Sequence, residues 1–248
     1  MSLSADVLEA AALRFMGELD ALKQAVDPTF PWYPYGILNN FIHLKPIFES
    51  FPLDTLMRGR AVLDIGAADG DLSFFLERLG FPPEIVDHAS TNFNGLRGAA
   101  LLSRHLGSSV FIYDVDLDSY FPLPAKSYDL VFLLGILYHL KNPFRVMESL
   151  AKVTRYMLVS TRIARFAPQG QPIGDIPVAY LVHPAESNND STNYWISSET
   201  GLMRLFDRTG WDVLTWRSEG DTERSDPAHP DHDERAFALL RSRHAPSA

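Results

Sequence analysis

Three acids, each at the end of a short apolar run, carry the first chemistry legible in this chain. Asp64-Ile65-Gly66-Ala67-Ala68-Asp69-Gly70 joins the apolar stretch 61–66 to a segment of helical periodicity at 71–80. Gly66 lets the chain turn tightly, and Gly70 lets backbone approach whatever lies over the helix N-terminus. Such a turn could hold a nicotinamide dinucleotide, another nucleotide or nothing. No GK[ST] triplet is present, which removes the P-loop, and Ala68 stands where the GxGxxG fingerprint needs its middle glycine. Asp87 closes Glu84-Ile85-Val86 about twenty residues after the first turn, where a carboxylate can accept both hydroxyls of a ribose. Asp114, followed by Val115, closes a third run, where a side-chain acceptor can meet an adenine amino group. Alone, each is an ordinary loop acid. Three of them ending three successive strands point to adenosine.

A second group follows the fourth apolar run, 128–137. Tyr138 and His139 come directly after it, at the strand end that faces the crevice open α/β sheets use for ligands. His139 is the candidate general base and Tyr138 its neighbour for orienting a substrate. His43 and His183 are candidates to reach the same mouth, and Asn193 with Trp195 for a substrate wall. No cluster of His, Asp and Glu has metal-ligand spacing, so no metal is expected.

The elements that must position these residues alternate. Residues 4–26 carry Leu8, Ala12, Phe15, Leu19 and Leu22 at helical spacing, and Pro28 ends that helix. Residues 28–58 are rich in proline and aromatics and read as an irregular segment packed on a domain. Strands are expected at 61–66, 84–89, 109–114, 128–137 and 156–164, with helices at 71–80, 93–107 and from Pro143, where Asn142 is an N-cap. Residues 165–196 are non-periodic and too long for a plain connector, hence functional or mobile. A helix at 197–210 and a closing antiparallel pair, 211–217 with 235–243, complete the chain. The pattern predicts an α/β fold: a parallel sheet covered on both faces, with the closing antiparallel pair and an N-terminal helical extension. The expected division is an extension at 1–58 and a main domain at 59–248 with a lid-like insertion at 165–196.

Composition bounds the rest. The 248 residues hold 22 Lys plus Arg against 31 Asp plus Glu, a formal charge of −9 that disfavours a polyanionic partner. Hydrophobic residues at 46% and charged residues at 21% support a packed core rather than disorder. The absence of cysteine excludes disulfides, thiolate metal sites and thiol nucleophiles. No apolar run approaches a membrane span and the N-terminus lacks signal-peptide features, so the expectation is a soluble, cytoplasmic protein with no membrane partner. Residues 218–234 hold seven acids and one base, a net of −6, and with Pro227, Pro230 and Gly220 they read as a solvated loop. His229 and His232 are expected to be solvated with it. Lys141, Arg145, Lys152, Arg155, Arg162 and Arg165 make a basic strip over 141–165 that reads as an exposed face.

VLDIGAADGDLSFFLERLG, the acids at 87 and 114, and YDLVFLLGILYHLKNP resemble class I S-adenosylmethionine-dependent methyltransferases. The likeness covers about residues 60–217 and implies a Rossmann-like seven-stranded sheet, mostly parallel with an antiparallel last strand, with a cofactor lying across the strand carboxyl ends. GILYHLKNPFRVMESLAKVTRYMLVST, TNYWISSETGLMRLFDRTGWDV and the closing ERAFALL are similar, more narrowly, to bacterial relatives of the tRNA wobble-uridine carboxymethyltransferase family. The resemblance implies S-adenosyl-L-methionine as cofactor, with Asp64 and Gly66 near its methionine part and Gly70 in the same turn. It puts Asp87 at the ribose, Asp114 with Val115 at the adenine, and Leu134 backbone at the amino-acid end. Tyr138 and Arg235 match two contacts by which the narrower family grips the extra carboxylate of carboxy-S-adenosylmethionine. The lysine of its third contact is missing from Trp32-Tyr33-Pro34-Tyr35-Gly36.

Methyl transfer from a sulfonium is an in-line displacement, so the protein must chiefly align the groups and exclude water. A general base is needed only for some acceptors. The expected activity is methyl transfer to a small molecule, with a nucleic-acid acceptor disfavoured. The alternatives are a wobble-uridine methyl- or carboxymethyltransferase and a non-catalytic cofactor-binding protein.

Overall fold

A computed structural model describes residues 4–59, 61–125 and 127–244. The chain divides after Val131 into two compact units. In the first, α1 (Ala5–Val26) buries Leu8, Ala12, Phe15 and Leu19 on one face, as its spacing predicts, and Ser4 caps it by accepting the Val7 N–H. The segment expected to be irregular is partly helical: a 3-10 turn (Ile37–Asn40) leads into α2 (Phe41–Ser50), and α3 (Leu53–Leu56) is a single turn. Pro46 inside α2 masked it, because proline donates no backbone hydrogen bond there. Burial of Phe41, Leu44, Ile47 and Phe48 outweighs that loss, with Phe41 edge-on to Phe75 at 5.3 Å.

β1 (Ala61–Ile65), α4 (Asp71–Arg78), β2 (Glu84–Asp87), α5 (Arg97–Leu106) and β3 (Ile112–Asp114) follow in the expected alternation. β1 pairs parallel with β2 and β2 with β3, in a register that sets Asp87 opposite Asp114. α5 starts at Arg97 rather than 93. Asn92 Oδ1 accepts the Asn94 and Leu96 N–H groups and Leu96 is left-handed at φ 66°, so a side-chain-bonded turn replaces the helix's expected first residues. β4 (Tyr128–Leu134) is buried over its first six residues, consistent with its near-continuous apolarity, and the division between the units falls within it.

In the second unit, α6 (Pro143–Ala151) begins as read, with Asn142 Oδ1 accepting the Arg145 N–H. β5 (Thr154–Ile163) leads into residues 165–196, which are more regular than expected. They hold β6 (Ala179–Leu181) and β7 (Trp195–Ser197), an antiparallel pair, and β7 meets β5 where Ser197 pairs with Ile163. Ala164, Val182 and Ile196 form a small core there, with Ile173 and Tyr180 against it. α7 (Glu199–Arg208) is capped by Ser198, which accepts the Gly201 N–H at 2.9 Å. β8 (Trp211–Gly220) and β9 (Glu234–Ser242) are antiparallel, and β9 runs antiparallel to β5 from Tyr156–Arg241 to Ile163–Glu234. The strands make the expected mostly parallel, Rossmann-like sheet with antiparallel edge strands.

Two expectations about charge are corrected. The 221–233 loop is pinned rather than freely solvated: Ser225 and Glu234 are fully buried, Arg165 grips Glu234 through Nε and Nη2, and Ser225 donates to Glu234 at 2.7 Å. His229 is exposed as expected, but His232 is bound to Asp226 at 2.7 Å and stacks on His229. The basic strip is also not one exposed face. Arg162 is buried on β5, donates to Ser187 Oγ and to the carbonyls of Asp226 and His229, and lies 2.9 Å from Asp233 without hydrogen-bond alignment.

Candidate active site

The first unit brings the strand-end acids together. Gly66, at φ 70°, donates its N–H to Val86 O at 2.8 Å, so the turn after β1 is stitched to β2. Asp87 Oδ2 accepts the Ala68 N–H at 3.2 Å and Asn92 Nδ2 at 2.9 Å, and Oδ1 accepts the His88 N–H at 2.7 Å. A carboxylate has about four lone-pair directions, so three donors leave room for roughly one more. Burial holds the Asp87 carboxyl above its ordinary range despite these donors. Asp114 is exposed, and the Ala89 N–H, at 2.9 Å, holds it below that range. The Val115 N–H is committed to Asp87 O at 2.9 Å.

Asp64 is buried at the end of β1, where it accepts the Ser73 hydroxyl at 2.7 Å. Burial pushes its pKa up to about 7. Gly70 precedes α4 at φ 85°, and a Cβ there would meet the Phe74 ring at 2.7 Å, so helix entry and packing both require glycine.

Several residues around this turn escaped the sequence reading. Lys23 lies on the buried face of α1 and binds both oxygens of Asp71 at 3.0 Å, with Asp69 at 3.4 Å. Asp69 accepts the Tyr33 N–H at 2.8 Å and Asn94 Nδ2 at 2.7 Å, tying the aromatic segment and the turn before α5 to the glycine-rich turn. Gly98 keeps α5 against this carboxylate, since a Cβ there would lie 2.0 Å from Asp69 Oδ1. Lys23 was legible: it stands four residues after Leu19, on the apolar stripe. Asn92 and Asn94 carried no signal beyond a turn composition.

The second unit holds the other candidates. Leu134 ends β4 half-buried, and Gly135, left-handed at φ 76°, bonds to Ser160 O at 2.9 Å. A Cβ on Gly135 would lie 3.4 Å from Arg235 Nη1 and 3.7 Å from the Tyr138 hydroxyl, so these side chains close on the bare backbone. Arg235 sits 5.5 Å from the Tyr138 ring centroid. His139 stacks beside Tyr138 with centroids 4.2 Å apart, and its Nδ1 is 3.1 Å from Thr192 O and 3.0 Å from Thr192 Oγ1. Burial lowers the His139 pKa. Asn193 is buried, donates Nδ2 to Ser187 O at 3.1 Å and leaves Oδ1 unpartnered; Trp195 donates to Lys141 O at 3.1 Å. His183 is exposed beside Glu186, and the His43 side chain is partly exposed on α2 in the first unit.

Among the described residues no group of His, Asp and Glu could hold a metal ion, and no helix is long and apolar enough to cross a membrane. Comparison with curated proteins gives no significant match. Among solved structures, the N-terminal domain of EvdMO1 with SAH bound has a TM-score of 0.60 at 15% identity, over 91% of this chain and 96% of that one. A putative methyltransferase from Bacillus halodurans C-125 has a TM-score of 0.53 at 12% identity, over 75% and 93%. The [4+2]-cyclase SpnF has 0.56 at 16%, over 85% and 86%. At such identities these likenesses establish the fold. The family model described as "Methyltransferase domain" matches residues 44–215, well over half of the sequence and the whole strand-end turn system, and the chain therefore belongs to that methyltransferase family.

Proposed function

We propose that the protein transfers a methyl group from S-adenosyl-L-methionine to a small-molecule acceptor. The carrying observation is the charge around the turn after β1. Asp64, Asp69 and Asp71 are all buried there; Lys23 binds Asp69 and Asp71, Asp64 has only the Ser73 hydroxyl among the hydrogen bonds of the described residues, and Asp87 and Asp114 end the next two strands. A helix N-terminus beside such a turn ordinarily attracts phosphate. Here two carboxylates hold that end of α4, which disfavours a pyrophosphate and suits a cofactor that is cationic at its methionine end and uncharged at its adenosine. The donor set therefore fits S-adenosylmethionine better than NAD or ATP.

In this reading Asp64 and Gly66 line the methionine part, and Asp87 takes a ribose hydroxyl. Accepting both hydroxyls requires Ala68 or Asn92 to give up its bond to that carboxylate. Asp114 and Val115 flank the adenine; with the Val115 N–H spent, recognition there falls to the Asp114 side chain. Leu134 supplies backbone at the amino-acid end. When bound, the cofactor supplies a methyl carbon already activated by sulfonium, so the chain's own task is alignment and exclusion of water. His139 and Tyr138 serve the acceptor, with Asn193, Trp195, His183 and Arg235 as its further surroundings.

The small-molecule reading is favoured over a nucleic acid because Arg162 and Arg165, two of the six cations of the basic strip, are bound by Asp233 and Glu234, so the strip is not one continuous face for phosphates. The approach of Arg235 to Tyr138 favours the wobble-uridine reading as the second choice. The test is transfer of an isotope-labelled methyl group from S-adenosylmethionine into extracts split into a small-molecule fraction and a tRNA fraction. Label in the small-molecule fraction alone supports the proposal, and label in tRNA alone overturns the acceptor class.

A further inference from the structure

His139 is held from one side only. Its Nδ1 faces two oxygens of Thr192, the carbonyl at 3.1 Å and Oγ1 at 3.0 Å. A carbonyl can only accept. The hydroxyl could donate or accept, and its choice is settled by Asp190, whose Oδ1 takes the Thr192 Oγ–H at 2.6 Å and the Thr192 N–H at 2.9 Å. With its proton committed to Asp190, Oγ1 presents lone pairs to the imidazole. Both neighbours of Nδ1 are then acceptors, so Nδ1 must carry the hydrogen. Nε2 is thereby the lone-pair nitrogen, and no hydrogen bond of the described residues engages it.

We propose that Asp190 and Thr192 are positioning residues that fix His139 as the Nδ1–H tautomer, so that Nε2 takes the proton of a hydroxyl-bearing acceptor. The proposal rests on His139 serving the acceptor, and it names the acceptor class. An O–H acceptor must shed a proton as its oxygen gains the methyl carbon, whereas an acceptor already without a proton has no use for a fixed base. In the transfer the acceptor oxygen's electron pair forms the new C–O bond, the C–S pair stays on sulfur, and the O–H proton passes to Nε2 and then to water. Asp190 to a backbone-fixed threonine to histidine performs the orienting that a carboxylate performs directly in a hydrolase triad.

The charged and titratable groups around the imidazole are Asp190 from the connection between β6 and β7, Arg235 from β9, and Tyr138 on the same turn. Asp190 favours the imidazolium, and burial and Arg235 oppose it, with burial the largest influence and the net effect toward the neutral ring. A neutral ring at physiological pH is what a proton acceptor requires.

The test is two-bond 1H–15N correlation of the ring nitrogens in the full chain labelled with [15N]histidine, without cofactor or acceptor, assigning His139 by its loss in His139→Gln. The wild-type signal is expected in the Nδ1–H pattern at pH 7.5. In Asp190→Ala the Thr192 hydroxyl is released to donate to Nδ1, in competition with the carbonyl that still accepts from it, and the signal should shift measurably toward the Nε2–H pattern. Asp190→Asn, which keeps an acceptor oxygen, and Asp190→Ala combined with Thr192→Val, which removes the competing donor, should both restore Nδ1–H. A merely structural Asp190 would not give rescue by deleting a second group. Wild type in the Nε2–H pattern overturns the proposal, as does an unchanged tautomer in a folded Asp190→Ala. Because no ligand is present, failure here is separate from failure of the cofactor reading, which calorimetry with S-adenosylhomocysteine tests alone.

Discussion

Asp87, the last residue of β2, accepts the backbone N–H of Ala68 at 3.2 Å, so the terminal acid of one strand holds the turn that follows another. Ala68 needs the support, because at φ 56° it occupies the left-handed region without being glycine. The residue expected to bind ribose is therefore also a brace for the cofactor turn.

Asp87→Ala should show both roles. Cofactor affinity should fall by about 2 kcal/mol or more through loss of a charge-assisted bond. Stability should fall by about 1–3 kcal/mol as the donors of Ala68, His88 and Asn92 lose their acceptor, more than a purely open strand end would predict. Urea denaturation and calorimetric titration separate the two, and an unchanged affinity would show that β2 does not end at the ribose.

Asp64 gives a pH signature. Its folded pKa of about 7 lies well above the ordinary carboxylate range, so the folded state binds the proton more tightly than the unfolded state. Its contribution to stability is full below about pH 4 and is lost as pH rises through 7. Asp64→Asn cannot ionise, and its amide oxygen can still accept from Ser73. The variant should gain on the wild type between pH 4 and 8, by an amount on the order of a few kcal/mol. Parallel pH–stability curves for the two proteins would contradict the burial argument.

Lys23→Met should be among the most damaging changes in the first unit. It removes the cation that, among the described residues, is bound to Asp71 and Asp69 and leaves buried carboxylates uncompensated, a loss of about 3–5 kcal/mol. Adding Asp71→Leu should recover part of it, because the pair would then be replaced rather than broken. A double variant no more stable than Lys23→Met would argue that Asp69 is the partner that matters.

If the imidazole takes the acceptor proton as proposed, His139→Ala should reduce turnover while leaving cofactor affinity within about threefold. Burial depresses the pKa of this histidine, so its neutral form persists below the ordinary value near 6.5. Wild-type turnover should be flat from pH 7 upward and fall only as pH drops through that lowered value. A small, pH-independent loss in the variant would mean that the acceptor sheds no proton to His139.

The alternating elements and the strand-end acids were legible because they follow from period, punctuation and chain order: Asp64, Asp87 and Asp114 each close an apolar run, and the register of β2 with β3 sets the last two side by side. What escaped depends on distant partners. Lys23 sits on an apolar stripe for the sake of Asp71, forty-eight residues away, and Thr192 matters because it meets His139 across fifty-three. The acidic loop misled for the same reason: its local composition speaks of solvent, and it is Arg165, just after β5, that grips the buried Glu234, while Arg162 on β5 lies against Asp233. Pro46 misled in the opposite direction, since burial of four apolar neighbours keeps α2 helical around it.

The central claim is that the acids at the ends of β1, β2 and β3 hold S-adenosylmethionine. Calorimetric titration with S-adenosylmethionine at pH 6, in two buffers of different ionisation enthalpy, tests it most directly. The account predicts binding with release of up to about one proton, because a cationic methionine end beside Asp64 must drive its carboxyl, protonated below pH 7, toward the ionised form. It predicts no binding of NAD or ATP under the same conditions, and loss of the proton release in Asp64→Asn. Absence of binding at millimolar S-adenosylmethionine, or equal binding of NAD, would contradict it.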